Sequence, residues 1–468
     1  MKILFVQESP TAATKISLIS GQISRFVEKS GGTELHIGYG SSASWRKPLS
    51  QRKITLLLRK IVTVAKQNKL KSIVLDWKEL RALTDRKVTD KKLGEVAAVA
   101  WAMADFDFNI YKEEPKDGFD SVEEIFVTNA PKVARDGVSR GEMIGIEVNS
   151  CRALSNTPGG DMTPKIMADV AKTIIKGTSI KVQVLGKKEM EKLGMGAVLG
   201  VAKGSAEEPQ FIVMEYWGTS KSKKPIVIVG KGVTFDTGGL QVKPGDSMYE
   251  MHMDMSGGAA VMHAIVLAAK LKVKANVVAL VPAVENSLSG AAIRPGDILT
   301  SLSGKTIEIL HTDAEGRVIL ADGLTYAKRY NPKMVVDVAT LTGASLVALG
   351  TQASAYMTNE DRLVPAFQRL GEESGDYVWP FPVWEEYEEM VKGNFGDVCN
   401  IPAGGNSRHG GVIGGGMFLR EFTKDLGCPW VHIDMAPRMT ATKDEFLTKG
   451  AVGAPVRLLL GIIEGYGR

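Results

Sequence analysis

The chain is expected to fold as a two-domain α/β protein, with a smaller domain over residues 1–155 and a larger one over 156–468. Three observations predict this. Short apolar stretches of strand length alternate with stretches at helical spacing through the N-terminal third. Past Thr163 the alternation strengthens, and several strand stretches are continuous apolar runs, as expected of strands covered by helices on both faces. The 468 residues are 44% hydrophobic and 24% charged, ordinary for a globular chain.

Taken in order, KILFVQ at the N-terminus reads as a strand. KITLLLRKIVTVAKQ carries apolar residues at helical spacing with basic residues between them, SIVLDW reads as a second strand, and KKLGEVAAVAWAMADFDF as a helix. The polar stretch YKEEPKDGFDS from Tyr111 is a loop at the edge of this module. Ser139 to Ala153 reads as a long helix crossing between domains. Pro and Gly then interrupt LSNTPGGDMTPKIMADVAK, which places the boundary near Asn156–Thr163. Thr163 and Pro164 suit the N-cap and first position of a new helix. The strands expected beyond are KVQVLG, FIVMEYW, PIVIVG, NVVALVPA, TIEILH, KMVVDVAT and WVHIDM, with a helix from Ser256 in SGGAAVMHAIVLAAKLK. No fixed-period repeat and no low-complexity tract is present.

Composition excludes several classes. Long-range disorder does not suit these percentages. No uncharged apolar run reaches the roughly 18 residues of a membrane span, and Glu8 and Pro10 come too early for a secretory leader. Cys151, Cys399 and Cys428 lie far apart, so neither a metal knuckle nor a disulfide framework is available. Three reduced thiols in a cytoplasmic protein is the reading that follows. The net charge of +5 is uneven: up to Lys92 there are 19 Lys and Arg against 7 Asp and Glu. A basic module of this kind binds nucleic acid or an acidic surface, or is simply a solvated face.

The chemistry concentrates in two stretches. In PIVIVGKGVTFDTGGLQVKPGDSMYEMHMDMSGGAA, Lys231 follows a buried strand directly and Asp236 lies five residues on. In open α/β sheets the functional crevice lies outside the carboxyl ends of the strands, and both residues are expected there. Gly238 and Gly239 permit a tight turn. Lys243 and Asp254 follow, the latter close to the positive end of the helix from Ser256. In TIEILHTDAEGRVILADGL, Asp313, Glu315 and Arg317 recur at i, i+2, i+4, which on an extended segment aims all three at one face. Alone, such a triplet is an ordinary solvated ion-pair strip. Asp236, Asp254, Asp313 and Glu315 together are four carboxylates, and four anions in one site raise one another's pKa. Two divalent cations would neutralise them, and a two-metal site points to hydrolysis.

VGKGVTFDTGG, LQVKP, DMSGGAA and TDAEGRVILADGL, with VVDVATLTGASLVALG from Val335 and HIDMAPRMTATKDEFLTKGAVGAPVRLLL, closely resemble the leucyl aminopeptidases, the cytosol aminopeptidases of peptidase family M17. The resemblance covers roughly residues 140–468; before that only a general α/β likeness holds. It implies a larger C-terminal catalytic domain with a central mixed sheet flanked by helices, and removal of N-terminal Leu- or Met-like residues from short peptides. It implies that Lys231, Asp236, Asp254 and Glu315 hold one divalent ion and Asp236, Asp313 and Glu315 a second, Zn²⁺ or Mn²⁺. Lys243 would be the electrophile, and Arg317 the anchor of a bicarbonate that serves as general base. Met251, Thr340, Gly343, Ala436 and Met439 would line the pocket for the first side chain, with the Leu341 backbone binding substrate. Met251 is also compatible with core packing, since Met251, Met253 and Met255 alternate. The resemblance further implies a homohexamer and, from some relatives, DNA binding; a DNA-binding or scaffold role for the basic N-terminal domain is the alternative function. The chain departs from the family pattern at Gly160, Ser256, His311 and Pro437. Of these, His311 bears on the second-residue preference, and Pro437 with Arg438 on the width or charge of the pocket rim. His252 and His263 read as structural or exposed, His409 as a loop residue without chemistry, and His432 as a satisfied strand histidine. SGKT at Ser303 is not a phosphate loop, because Leu299 stands where the first Gly is needed.

Overall fold

The computed structural model describes residues 1–29, 32–40, 48–402 and 409–467. Residues 403–408, the start of the glycine-rich stretch before His409, lie outside them. The chain divides into two compact units, residues 1–149 with 441–449, and 150–440 with 450–468.

The first unit contains strands β1 (Lys2–Phe5), β2 (Thr14–Ile19), β3 (Arg25–Lys29), β4 (Gly32–Gly38), β5 (Ser72–Asp76) and β6 (Glu124–Thr128), with helices α1 (Gln51–Gln67), α2 (Trp77–Leu83) and α3 (Asp90–Asp105). Helix α4 (Lys132–Asn156) carries the chain into the second unit. The six strands order as β1-β6-β5-β2-β4-β3, parallel except for the β3–β4 edge. Helix α1 forms because Ile54, Leu57, Leu58, Ile61, Val62 and Ala65 fall on one face and are buried, and because Ser50 caps its N-terminus by accepting from Lys53 N–H. Three of these strands, β2 to β4, and β6 escape the apolar-run criterion. β3 is an edge strand whose RFVEK is mostly exposed, so its sequence carries no hydrophobic signal. Residues 441–449 pack with this unit rather than with the chain around them. Glu445 Oε1 lies 3.7 Å from Arg59, and the Thr448 hydroxyl donates to Phe106 O at 2.8 Å.

The second unit is built on α5 (Pro164–Ile174), β7 (Lys181–Leu185), α6 (Lys187–Leu193), α7 (Gly196–Ala202), β8 (Gln210–Trp217), β9 (Ile226–Gly230), β10 (Gly232–Asp236), α8 (Gly245–Met248), α9 (Ser256–Lys270), β11 (Asn276–Asn286), β12 (Ile298–Thr300), β13 (Thr306–Glu308), α10 (Glu315–Ala327), β14 (Met334–Ala339), α11 (Gly343–Leu349), β15 (Ser354–Thr358), α12 (Val364–Ser374), β16 (Val378–Pro380), β17 (Val398–Cys399), α13 (Gly411–Arg420), β18 (Trp430–Asp434) and α14 (Val456–Tyr466). Eight strands order as β16-β15-β18-β14-β9-β11-β8-β7, and β10 adds to β11. The sheet is mixed: β18, β14, β9 and β11 run parallel, while β15, β8 and β7 join antiparallel. Its central strands β9 and β14 are buried throughout, as strands with helices on both faces must be. Thr163 caps α5 with Pro164 at its first turn, as expected.

One expected strand is only half a strand. Of TIEILH, only Thr306–Glu308 pairs, in a separate sheet ordered β12-β13-β17. Beyond it the Leu310 and His311 N–H groups donate to the Asn400 side chain, at 2.8 and 3.2 Å, which ends the ladder. SGKT forms the turn between β12 and β13, where Gly304 N–H donates to Ser301 O. No helix among the described residues is long and apolar enough to cross a membrane.

Candidate active site

The site arises where two parallel strands part. β9 lies between β14 and β11. Lys231 N–H still donates to Val338 O of β14 at 2.9 Å, but the next strand, β10, pairs with β11. A crevice therefore opens at the carboxyl ends, as the fold class requires. Lys231 sits at the split and Asp236 at the end of β10. Gly238 and Gly239 follow with φ of 88° and 66°, the left-handed region that a side chain disfavours. This double turn brings Lys243 back, its N–H donating to Thr237 O at 2.9 Å.

Six of the expected residues meet here. Lys231 Nζ lies 2.7 Å from Asp254 Oδ2, 2.9 Å from Glu315 Oε1 and 3.1 Å from Thr340 O. Lys243 Nζ lies 2.8 Å from Asp236 Oδ2 and 2.5 Å from Asp313 Oδ1. One carboxylate oxygen from each of Asp236, Asp313 and Glu315 falls within 4.8 Å of the others, a group that could hold a metal ion. Lys231, Asp236, Asp254 and Glu315 are all buried. Gly316 makes the approach of Lys231 possible, because a Cβ there would stand 2.4 Å from Lys231 Cε.

The i, i+2, i+4 spacing of Asp313, Glu315 and Arg317 works differently from the extended-chain reading. Asp313 lies in a turn, and Glu315 and Arg317 occupy the first turn of α10. Arg317 Nη1 donates to Asn400 O at 2.7 Å, while its buried Nε has no hydrogen-bond partner among the described residues. Burial pulls the Arg317 guanidinium down to about 10, against the opposing pull of Glu315 and Asp434.

Electrostatically the cluster is overloaded. Four carboxylates face two ammonium groups. Burial lowers both lysines, yet the acids outweigh it and hold Lys231 and Lys243 above the ordinary lysine range. Burial, with the charges of Asp236 and Glu315, pushes the carboxyls of Asp254 and Asp313 up. Asp236 moves the other way: burial raises it, but Lys243, Lys231 and the Gly238 N–H bring it below the ordinary value. Glu315 Oε2 is buried with no hydrogen-bond partner among the described residues. An orphan carboxylate oxygen inside a net-negative cluster is the signature of a cation site.

The residues expected at the specificity pocket lie on three segments. Met251 opens a short 3-10 turn, Met251–Met253, that leads into Asp254. Met253 and Met255 are core residues, whereas Met251 is partly exposed. Thr340 donates to Asp254 Oδ1 at 2.6 Å, and Leu341 and Gly343 follow it. Ala436 and Met439 belong to the turn after β18. Beside α11, a cavity of 610 Å³ is lined by Ala344, Val347, Phe381, Val412 and Ile413.

Several residues of the site carry no motif in the sequence. Asn286 donates to Asp236 Oδ1 at 2.7 Å, the Thr312 hydroxyl donates to Gly238 O at 2.6 Å, and Asn400 orders the chain before Asp313. Lone Asn and Thr residues are common on loops, so only their placement marks them. His311 Nδ1 accepts the Asp313 N–H at 3.1 Å, which leaves its Nε2 as the donor. Arg438 does not charge the pocket rim as expected, since it is buried and donates to Thr351 O. His432 is only half satisfied: Nδ1 meets Asp337 Oδ1, but Nε2 is buried without a hydrogen-bond partner among the described residues. None of the three cysteines forms a disulfide.

Comparison with known proteins shows the family. Residues 149–460 match the model of the cytosol aminopeptidase family, catalytic domain. The probable cytosol aminopeptidase of Azoarcus sp. (strain BH72) is 48% identical over 328 residues, 70% of this chain and 64% of that protein. That of Methylobacillus flagellatus is 43% identical over 361 residues, 76% and 71% of the two chains. The match thus spans 64% of the length of the first of these curated relatives. Among solved structures, the bottromycin maturation enzyme BotP in complex with Mn superposes with a TM-score of 0.84 at 26% identity, over 100% of this chain and 99% of that one. With more than half of its length matched by the catalytic-domain model, the chain belongs to the cytosol aminopeptidase family.

Proposed function

We propose that the protein is a metal-dependent aminopeptidase that hydrolyses the first, preferably Leu- or Met-like, residue from short peptides. The observation that carries this reading is the convergence of Asp236, Asp313 and Glu315 within 4.8 Å beside two lysines, with a carboxylate oxygen of Glu315 left over. The donor set fits two divalent cations: Lys231, Asp236, Asp254 and Glu315 for one, and Asp236, Asp313 and Glu315 for the other. Oxygen-rich sets of this kind suit Mn²⁺ or Zn²⁺, and the manganese named with BotP supports the choice. When bound, such ions supply Lewis acidity and a nucleophilic water at neutral pH.

The chain's own residues then have distinct tasks. Lys231 is held protonated by its acids, so it serves as a ligand only where a cation displaces its proton. Lys243 reaches the crevice from the glycine turn and keeps its charge, which suits it to hydrogen-bond a developing oxyanion. Arg317, with one buried N–H to spare, suits a small anion. Bicarbonate held there would supply a proton acceptor. Met251, Thr340, Gly343, Ala436 and Met439 take the first side chain. The Leu341 N–H is engaged by Asp434, which leaves the Leu341 carbonyl for the substrate. An apolar pocket discriminates by only a few kcal/mol, so selectivity is broad. A cytoplasmic homohexamer acting on short peptides completes the proposal.

The test is a panel of aminoacyl chromogenic amides, assayed before and after chelation and after Mn²⁺ or Zn²⁺ is restored. Leucyl and methionyl amides are expected to be cleaved, activity to vanish on chelation, and either ion to bring it back. Hydrolysis indifferent to chelator, or none with any metal, removes the reading.

A further inference from the structure

Two buried charged residues outside the proposed catalytic set tie together the walls of the proposed first-residue pocket. One wall is the loop after β14 with the start of α11, carrying Thr340, Leu341 and Gly343. The other is the turn after β18, carrying Ala436 and Met439. Asp434, at the end of β18, is fully buried. Its Oδ1 accepts the N–H of Leu341 at 3.1 Å, of Thr342 at 3.4 Å and of Ala436 at 3.2 Å. Its Oδ2 accepts the Thr342 hydroxyl at 2.6 Å. One carboxylate thus grips both walls. Thr342 is also the N-cap of α11, accepting the Ser345 N–H at 3.2 Å, so the grip extends to that helix.

Arg438 holds the other end of the same helix. Its guanidinium donates to Thr351 O, just beyond Gly350 where α11 stops. Its own N–H donates to Met435 O at 2.8 Å, which keeps it on the turn that carries Ala436 and Met439. The turn from 434 to 439 therefore clasps α11 at both ends. Charge-assisted hydrogen bonds inside a protein are strong and directional, and a supporting contact of this kind fixes a site's dimensions.

We propose that Asp434 and Arg438 are positioning residues that set the width of the first-residue pocket by fixing one wall against the other. This rests on the aminopeptidase reading for its consequence, though not for its geometry. The experiment uses the full chain loaded with Mn²⁺ and compares wild type, Asp434→Asn, Asp434→Ala and Arg438→Met on leucyl, alanyl and phenylalanyl anilides. KM for the leucyl substrate is expected to rise roughly three- to ten-fold in Arg438→Met with a smaller change in kcat, and the leucyl-to-phenylalanyl ratio of kcat/KM to shift. Asp434→Asn keeps an acceptor oxygen for the three N–H groups, so it should preserve more discrimination than Asp434→Ala. If all three substrates slow by one common factor in every variant, the residues are merely structural and the proposal fails. Amide hydrogen exchange at Leu341 and Ala436, read on the same proteins without substrate, should quicken in Asp434→Ala. Unchanged exchange overturns the clasp outright. A wild type that cleaves no anilide removes the aminopeptidase reading instead, while the exchange still decides whether Asp434 joins the walls.

Discussion

The two units bury charge in different ways. In the first, the buried charges of Glu34, Lys66 and Arg59 each meet an opposite charge. Glu34 contacts Lys15 and Lys29 at 3.0 and 2.8 Å, Lys66 meets Asp107 at 2.8 Å, and Arg59 meets Glu445 at 3.7 Å. In the second, Lys231 and Lys243 face Asp236, Asp254, Asp313 and Glu315, two ammonium groups against four carboxyl groups. Balanced burial is compatible with a purely structural role. Unbalanced burial is costly unless something else supplies the missing charge, so it marks the place where a cation and chemistry belong.

The contrast is broken most decisively at the overloaded cluster. Asp236→Ala is expected to lower kcat/KM on the order of a thousand-fold or more, and to lose bound metal by elemental analysis. In wild type, added Mn²⁺ should also raise the melting temperature, and in this variant it should not. A variant that keeps both metal and turnover would mean that the cluster is balanced in some other way.

Next in size is Lys243→Ala, which should depress kcat on the order of a hundred- to a thousand-fold while metal content stays near wild type. Near-normal turnover would show that the lysine only neutralises its neighbours.

The balanced unit answers in stability instead. Arg59→Met removes the guanidinium that lies 3.7 Å from the buried Glu445 carboxylate and should cost about 3 kcal/mol in urea unfolding. A change below a few tenths would mean that Glu445 is solvated despite its burial.

The smallest effect is a pH slope. Hydrogen bonding from Lys29, then from Lys15 and Ser17 against the cost of burial, holds the Glu34 carboxyl down to about 2 from its ordinary 4.5. A depressed acid contributes stability that is fully present above pH 4.5 and is lost as pH falls toward 2. Glu34→Gln should therefore flatten the fall in unfolding free energy across that window, relative to wild type. Parallel curves would remove Glu34 from the account.

Much of this was legible without coordinates. The buried strands announce themselves because a strand covered on both faces must be apolar throughout, as IVIVG of β9 and MVVDVA of β14 are. Helices α1 and α5 follow from periodicity and capping, and α9 from an apolar run of helix length. Half-exposed strands such as β3, and the brief β10 hidden in GVTFD, have no such signature. Lys231, Asp236, Lys243, Asp254, Asp313 and Glu315 were legible as a charged set in family order.

The sequence by itself determined the α/β class, the apolar strands and the identity of the charged residues, because these depend on local patterns of side-chain chemistry. Only the tertiary structure decided where β9 leaves β14, that Glu315 and Arg317 start a helix, that residues 441–449 pack with the first unit, and that Asp434 holds a loop 92 to 93 residues earlier in the chain, a contact no motif announces. Such contacts come from segments distant in the chain, whose meeting is set by packing and hydrogen bonding and leaves no local periodicity to read.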